Sequence, residues 1–217
     1  AQNLHFTRAE MQVEAIRTWV APDSSGNIRT TNTLGLLDAA SFRDHVGELR
    51  ARNWDFFRAF PSTVFPARVA DVENKSLSSP PAAPVLTIDK AKKTPGGTWT
   101  LRGSLHGDLP PGVEHMFMAR GDEIIGYGVP ALYPAFENTK RQPWAGWGEL
   151  PARVSAAVSR LAQLLGKERY WNGVGKANPG LGEWQCEWRS ETTLLCRASA
   201  QPTRADSRAQ ALSRPDP

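Results

Sequence analysis

The sequence predicts an α+β fold: an antiparallel β-sheet of about four to six strands packed on a helix, preceded by an α-helical N-terminal segment. Three observations carry that expectation. Apolar residues recur at helical spacing up to Pro61. Beyond a proline-rich stretch, short alternating runs are separated by turn signals. One more amphipathic helix then precedes a hairpin holding both cysteines.

The first helix has a clear start. Thr7-Arg8-Ala9-Glu10 fits a capping box, and Phe6 and Met11 stand where a hydrophobic staple needs them. Met11, Ala15, Ile16, Trp19 and Val20 continue one stripe, which ends before Pro22. A second helix is expected from a cap at Ser41, with Phe42, Val46, Leu49, Phe56, Phe57 and Phe60 on its apolar side and Pro61 as its stop. Its charged side reads as a solvated face.

Residues 75–84 read as a Pro/Ser/Ala linker, because prolines without periodicity favour extended backbone. The expected organisation is a helical segment over residues 1–74, the linker, an α+β domain over 85–200 and a disordered polar tail over 201–217. In the domain, residues 85–89 and 98–105 flank a Thr94-Pro95-Gly96-Gly97 turn. Residues 113–119 and 123–129 flank Arg120-Gly121-Asp122. Residues 130–148 read as a long aromatic loop, and residues 151–165 as a helix whose stripe includes Val154, Val158 and Leu161.

The cysteines fall in Trp184-Gln185-Cys186-Glu187-Trp188 and Leu194-Leu195-Cys196-Arg197-Ala198. With a turn over residues 190–192, Cys186 lies opposite Cys196, Trp188 opposite Leu194 and Trp184 opposite Ala198. Directly opposed strand residues are about 4.5–5.5 Å apart at Cα, within disulfide range. Leu195 is the misfit, since it falls on the other face. The alternative is a pair of reduced, buried thiols. A bridge implies an oxidising compartment, and the start at Ala1 fits a chain from which a signal peptide or anchor has been removed. The localisation expected is periplasmic or extracellular.

The formal charge of +4, from 26 Lys plus Arg against 22 Asp plus Glu, has no dense basic run, so no nucleic-acid partner is expected. No apolar stretch approaches the ~20 residues of a membrane-spanning helix. Gly103-Ser104-Leu105-His106-Gly107 has the wrong residue at its centre for a nucleophile elbow. His106, Asp108, Glu114 and His115 are close in sequence without metal-ligand spacing and read as solvated loop and edge residues. Catalytic, cofactor and metal residues are therefore all expected to be none.

The aromatic loop supplies the candidate binding residues Tyr133, Phe136, Trp144 and Trp147, which suit a glycan or a peptide if exposed. Against that stands a loop folded back as core. The leading functional expectation is a non-enzymatic exported interaction or assembly protein, such as a component of a pilus, secretion or conjugation apparatus, with protein partners. A glycan- or peptide-binding module is the first alternative. A hydrolase with a site assembled only in the fold is the second.

Overall fold

The computed structural model describes residues 9–17, 39–52, 65–75, 77–93, 98–107, 113–131, 141–150, 155–156, 158–160, 163 and 183–198, with backbone alone for 39–43. Residues 9–17 form helix α1, Ala39–Ala51 form α2, and the described residues between 155 and 163 belong to a third helix, α3. The strands are β1 (Val85–Lys93), β2 (Trp99–His106), β3 (His115–Arg120), β4 (Glu123–Pro130), β5 (Arg141–Gly148), β6 (Glu183–Ser190) and β7 (Thr193–Ala198).

These seven strands close into a barrel in the order β1-β2-β5-β4-β3-β7-β6. The expected α+β sheet of four to six strands packed on a helix is thereby corrected. Strand direction reverses at every antiparallel pair, so a ring of seven cannot close with antiparallel pairs alone. The mismatch is absorbed between β3 and β7, which run parallel, His115 beside Thr193. The remaining six pairs are antiparallel.

The strand that the sequence reading lacked is β5, which lies inside the stretch expected to be loop. It stands between β2 and β4, with Leu101 opposite Gly146 and Tyr127 opposite Trp147. Pro143, Gly146 and Gly148 hide it, because proline and glycine are depleted in central strands. The structure uses them for space. A Cβ on Gly146 would come within 2.6 Å of both the Trp144 ring and Tyr127 O, and one on Gly103 would strike Thr87 O. Gly126 and Gly128 face Gly148 and Gly146 across the β4–β5 pair. The inner wall is thus hollowed where the Trp144 indole, Met116 and Met118 must fit.

Alternation then sorts every strand. Inward go Leu86, Ile88, Leu101, Leu105, Met116, Met118, Trp144, Trp184, Cys186, Leu194 and Cys196, a continuous core. Register shifts in β1 near Asp89, in β4 at Ile125 and in β6 near Arg189 add the local bends that closure of a small barrel requires. Val158 of α3 also joins the interior core. A side chain from outside a closed barrel reaches the interior only through an open end. Among its described residues, the helix expected to cover a sheet face thus contributes Val158 to the core of the barrel.

The hairpin register of the cysteines is as read from the sequence: Cys186 faces Cys196, Trp188 faces Leu194 and Trp184 faces Ala198. The turn is tighter, since Ser190 pairs with Thr193 and the spare residue is taken up near Arg189. A disulfide joins the two cysteines. Leu195 ceases to be a misfit, because the outer wall of β7 is buried too.

That outer wall is covered by the N-terminal region. Ala9, Val13, Ala15 and Ile16 of α1, with Val46 of α2 and Val72, form a second core with Phe117, Tyr127, Val129, Ala145 and Leu195. Ala15 and Ile16 of the expected stripe are buried together with Ala9 and Val13, whereas Met11 is only half-buried. The expected cap at Ser41 is displaced, since α2 begins at Ala39. Trp19, Val20, Phe56, Phe57 and Phe60 lie outside the described residues, as do residues 201–217. Residues 67–69 add a short pairing to the β3–β4 turn through Ile124 N to Ala67 O and Val69 N to Asp122 O, each 2.9 Å. Lys75 and Pro84, at the ends of the stretch expected to be linker, both bond to β6, Lys75 N to Arg189 O and Cys186 N to Pro84 O.

Candidate functional site

Trp144 and Trp147 lie three residues apart on β5 and therefore face opposite sides of the barrel wall. The Trp144 ring is fully buried inside, crosses Gly103 and donates its indole N–H to Thr87 O at 3.0 Å. Trp147 is half-buried outside, with its ring 5.9 Å from that of Phe65. The two do not share a stacking face. Tyr133 and Phe136 lie outside the described residues. Cys186 and Cys196 meet as a bridge on the inner wall.

His106 and His115 are brought to different parts of the outer wall, and Asp108 is outside the described residues. Among the described residues no three His, Cys, Asp or Glu side chains gather as a metal site would require. Asp122 and Glu123 stand at the β3–β4 turn, where Glu123 pairs with Arg120 at 3.0 Å.

The first side-chain constellation outside the core joins β1, β2 and β5. Ser104 Oγ donates to Asp89 Oδ2 at 3.0 Å and accepts from Arg141 Nε at 2.8 Å. Arg141 Nη2 reaches the same carboxylate oxygen at 3.3 Å. The Thr87 hydroxyl lies 3.4 Å from Asp89 Oδ1 and 3.2 Å from His106 Nε2. Ser104 is buried, and its hydroxyl both gives its proton and accepts a guanidinium N–H. Such a hydroxyl acts as a strut and not as an exposed nucleophile. Ser104 and His106 share a strand face in sequence, a signal of period two. Asp89 joins them from the Thr87 face of β1, which pairs with β2, and Arg141 joins through β5.

The second constellation lies beneath α1. His115 and Tyr127 are both buried, and His115 Nδ1 is 2.7 Å from Tyr127 Oη. Burial pushes the imidazole down to about 4. Burial likewise pushes the phenol well above its ordinary value, opposed by a hydrogen bond from Gln12 of α1 and assisted by the Glu114 carboxylate. The Phe65 and Phe117 rings surround Tyr127 at centroid distances of 6.0 and 5.5 Å. Glu10 of α1 is ion-paired with Arg102 on β2. Sequence spacing separates His115 from Tyr127, but the β3–β4 hairpin register, with Phe117 opposite Tyr127, makes the approach inevitable.

Comparison with protein-family models, with curated proteins and with solved structures finds no match in any of the three. The class defined by the described residues is a small, solid β-barrel, closed by one parallel pair, stapled inside by a disulfide and clad on one wall by N-terminal helices. Among those residues no helix is long and apolar enough to cross a membrane.

Proposed function

We propose that this chain is a non-enzymatic interaction or assembly protein of an exported compartment, periplasmic or secreted, working within an envelope apparatus such as a pilus, secretion or conjugation system. The observation that carries this reading is the division of labour between the walls. The described interior is filled by Trp144, Met116, Met118, Leu101 and Leu105, so contacts with other molecules fall to the outside. That outside already holds amphipathic helices on one wall. The buried Cys186–Cys196 bridge supports an oxidising compartment.

The test is fractionation combined with site-directed photocrosslinking in living cells, with the probe at Gln185 or Glu187 on the open face of β6. The reading expects protein in the envelope or secreted fraction, with its cysteines protected from alkylation until reduced, and discrete crosslinked protein species. Reduced thiols in a cytosolic fraction would overturn the export reading. Oxidised, exported protein without a discrete crosslink at either position would overturn assembly through this face.

A further inference from the structure

Lys75 and Pro84 are nine residues apart in the chain, yet they bond to β6 at positions only three apart, Arg189 and Cys186. Three strand residues span about 10 Å, and nine extended residues about 30 Å. The stretch between Lys75 and Pro84 therefore arches off the barrel. Among the described residues of that arch, 77–83, the one hydrogen bond runs from the Trp188 indole N–H to Ala82 O, at 3.4 Å. Ser78, Ser79, Pro80, Ala82 and Ala83 are exposed.

We infer that this arch is a processing site: an endopeptidase selective for small residues opens it, and the barrel and its helical cover remain together as a two-chain protein. In the step, water is added across one peptide C–N bond, its hydroxyl going to the carbonyl carbon and its proton to the released nitrogen. An endopeptidase binds its substrate extended, and Pro80 and Pro81 hold φ at about −65°, close to that form. Prolines also narrow the choice of bond. Ser79–Pro80, Pro80–Pro81 and Ala83–Pro84 are tertiary amides, which ordinary endopeptidases leave uncut, and Pro81–Ala82 needs a proline-selective enzyme. The open bonds are Leu77–Ser78, Ser78–Ser79 and Ala82–Ala83, each followed by a small residue and none preceded by a charged or aromatic one. Lys75, the nearest basic residue, is pinned by its N–H to Arg189 O at 2.7 Å.

The cut does not free the cover. On its N-terminal side, Val13 and Ile16 of α1, Val46 of α2 and Val72 share a core with Phe117 and Leu195 of the barrel. Ala67 O accepts from Ile124 N, and Val69 N donates to Asp122 O, each at 2.9 Å. On its C-terminal side, Pro84 O accepts from Cys186 N and holds the start of β1 in place. None of these contacts runs through the arch, so all of them outlast it.

The experiment is mass analysis of the protein from the cells that make it, under native and denaturing conditions. Two chains divided between Leu77 and Ala83 are expected, together in the native spectrum and separate in denaturant. A single unbroken chain overturns the inference. The purified full chain is then digested briefly with elastase, whose pocket takes small residues. The arch should be cut at least about tenfold faster than any bond within β1 to β7, because cleavage follows the population of open chain. Ser78→Pro combined with Ala83→Pro closes the three open bonds to elastase and should abolish that cut. Neither N–H so removed is hydrogen-bonded among the described residues, so the fold is expected to be kept. Cutting of the strands before the arch, or loss of the cover from the barrel as soon as the arch is cut, overturns the inference. The wild-type arms decide it even if the variant does not fold.

Discussion

The outer wall of the barrel is built two ways. Over the middle of β3, β4, β5 and β7 the outward side chains Phe117, Tyr127, Val129, Ala145 and Leu195 are buried in one cluster with residues of α1 and α2 and Val72. Over β1, β2 and β6 the outward positions are Thr87, Arg102, Ser104, His106, Glu183, Gln185 and Glu187. Strand geometry is the same on both sides, and both enclose one apolar core. The difference teaches that alternation is a property of what lies outside the sheet. Strands with a cover read as continuous apolar runs, as in Met116-Phe117-Met118-Ala119, and strands without one read as alternating.

The comparison is broken most severely by hollowing the covered wall. Tyr127→Ala removes a ring buried between α1 and the barrel, and a loss of about 3–5 kcal/mol is expected in urea denaturation. A loss below about 1 kcal/mol would mean that the helices contribute little to that wall.

Next comes acidity. The imidazole of His115 titrates near 4 in the folded protein and near its ordinary 6.5 when unfolded. Its contribution is fully present above the unfolded value and declines as pH falls towards the folded one. The expected loss is about 3 kcal/mol across that window, from about 1.4 kcal/mol per pKa unit. Denaturation curves of His115→Phe against wild type isolate this component, since only the wild type carries it.

The inner staple should matter slightly less. Cys186→Ala removes a bridge whose cysteines are 10 residues apart, and about 2–3 kcal/mol is expected from loop entropy. The barrel should still fold, with a lower Tm. Unfolding at room temperature would mean that the bridge holds the β6–β7 pair against the parallel β3 edge.

The smallest effects belong to the open wall, where they sharpen the contrast within it. Ser104→Ala removes the buried hydroxyl that links Asp89 to Arg141 and should cost about 1 kcal/mol. Glu187→Ala breaks only an exposed pair with Arg197, at 2.9 Å, and should cost about 0.5 kcal/mol or less. Equal losses from the two would deny that the polar cluster is anything more than solvated surface.

Much of the local structure is legible in the residues. Gly121, at a positive φ of 62°, and Asp122 mark the turn between β3 and β4, and period-two spacing places Trp99, Leu101 and Leu105 on one face. The cysteine register follows from counting outward from a turn, and the bulge near Arg189 preserves it. Of the polar cluster, Ser104 and His106 are visible as a pair on one strand face. Asp89 shares the face of Thr87 by the same spacing but on another strand, and Arg141 is hidden because its strand is masked by Pro143, Gly146 and Gly148. The His115–Tyr127 pair follows from a hairpin register, yet its burial follows only from the helix above it.

By itself the sequence determined three hairpins, the pairing of Cys186 with Cys196 and the amphipathic character of α1, all properties of neighbouring residues and short periods. Closure was decided by tertiary structure: β5 between β2 and β4, the parallel β3–β7 pair, and α3 at an open end. These pairings join residues far apart in the chain, and their stability comes from filling a shared interior. Gly103 of β2 and Gly128 of β4 have meaning only beside the Trp144 indole they accommodate. No window of sequence contains both.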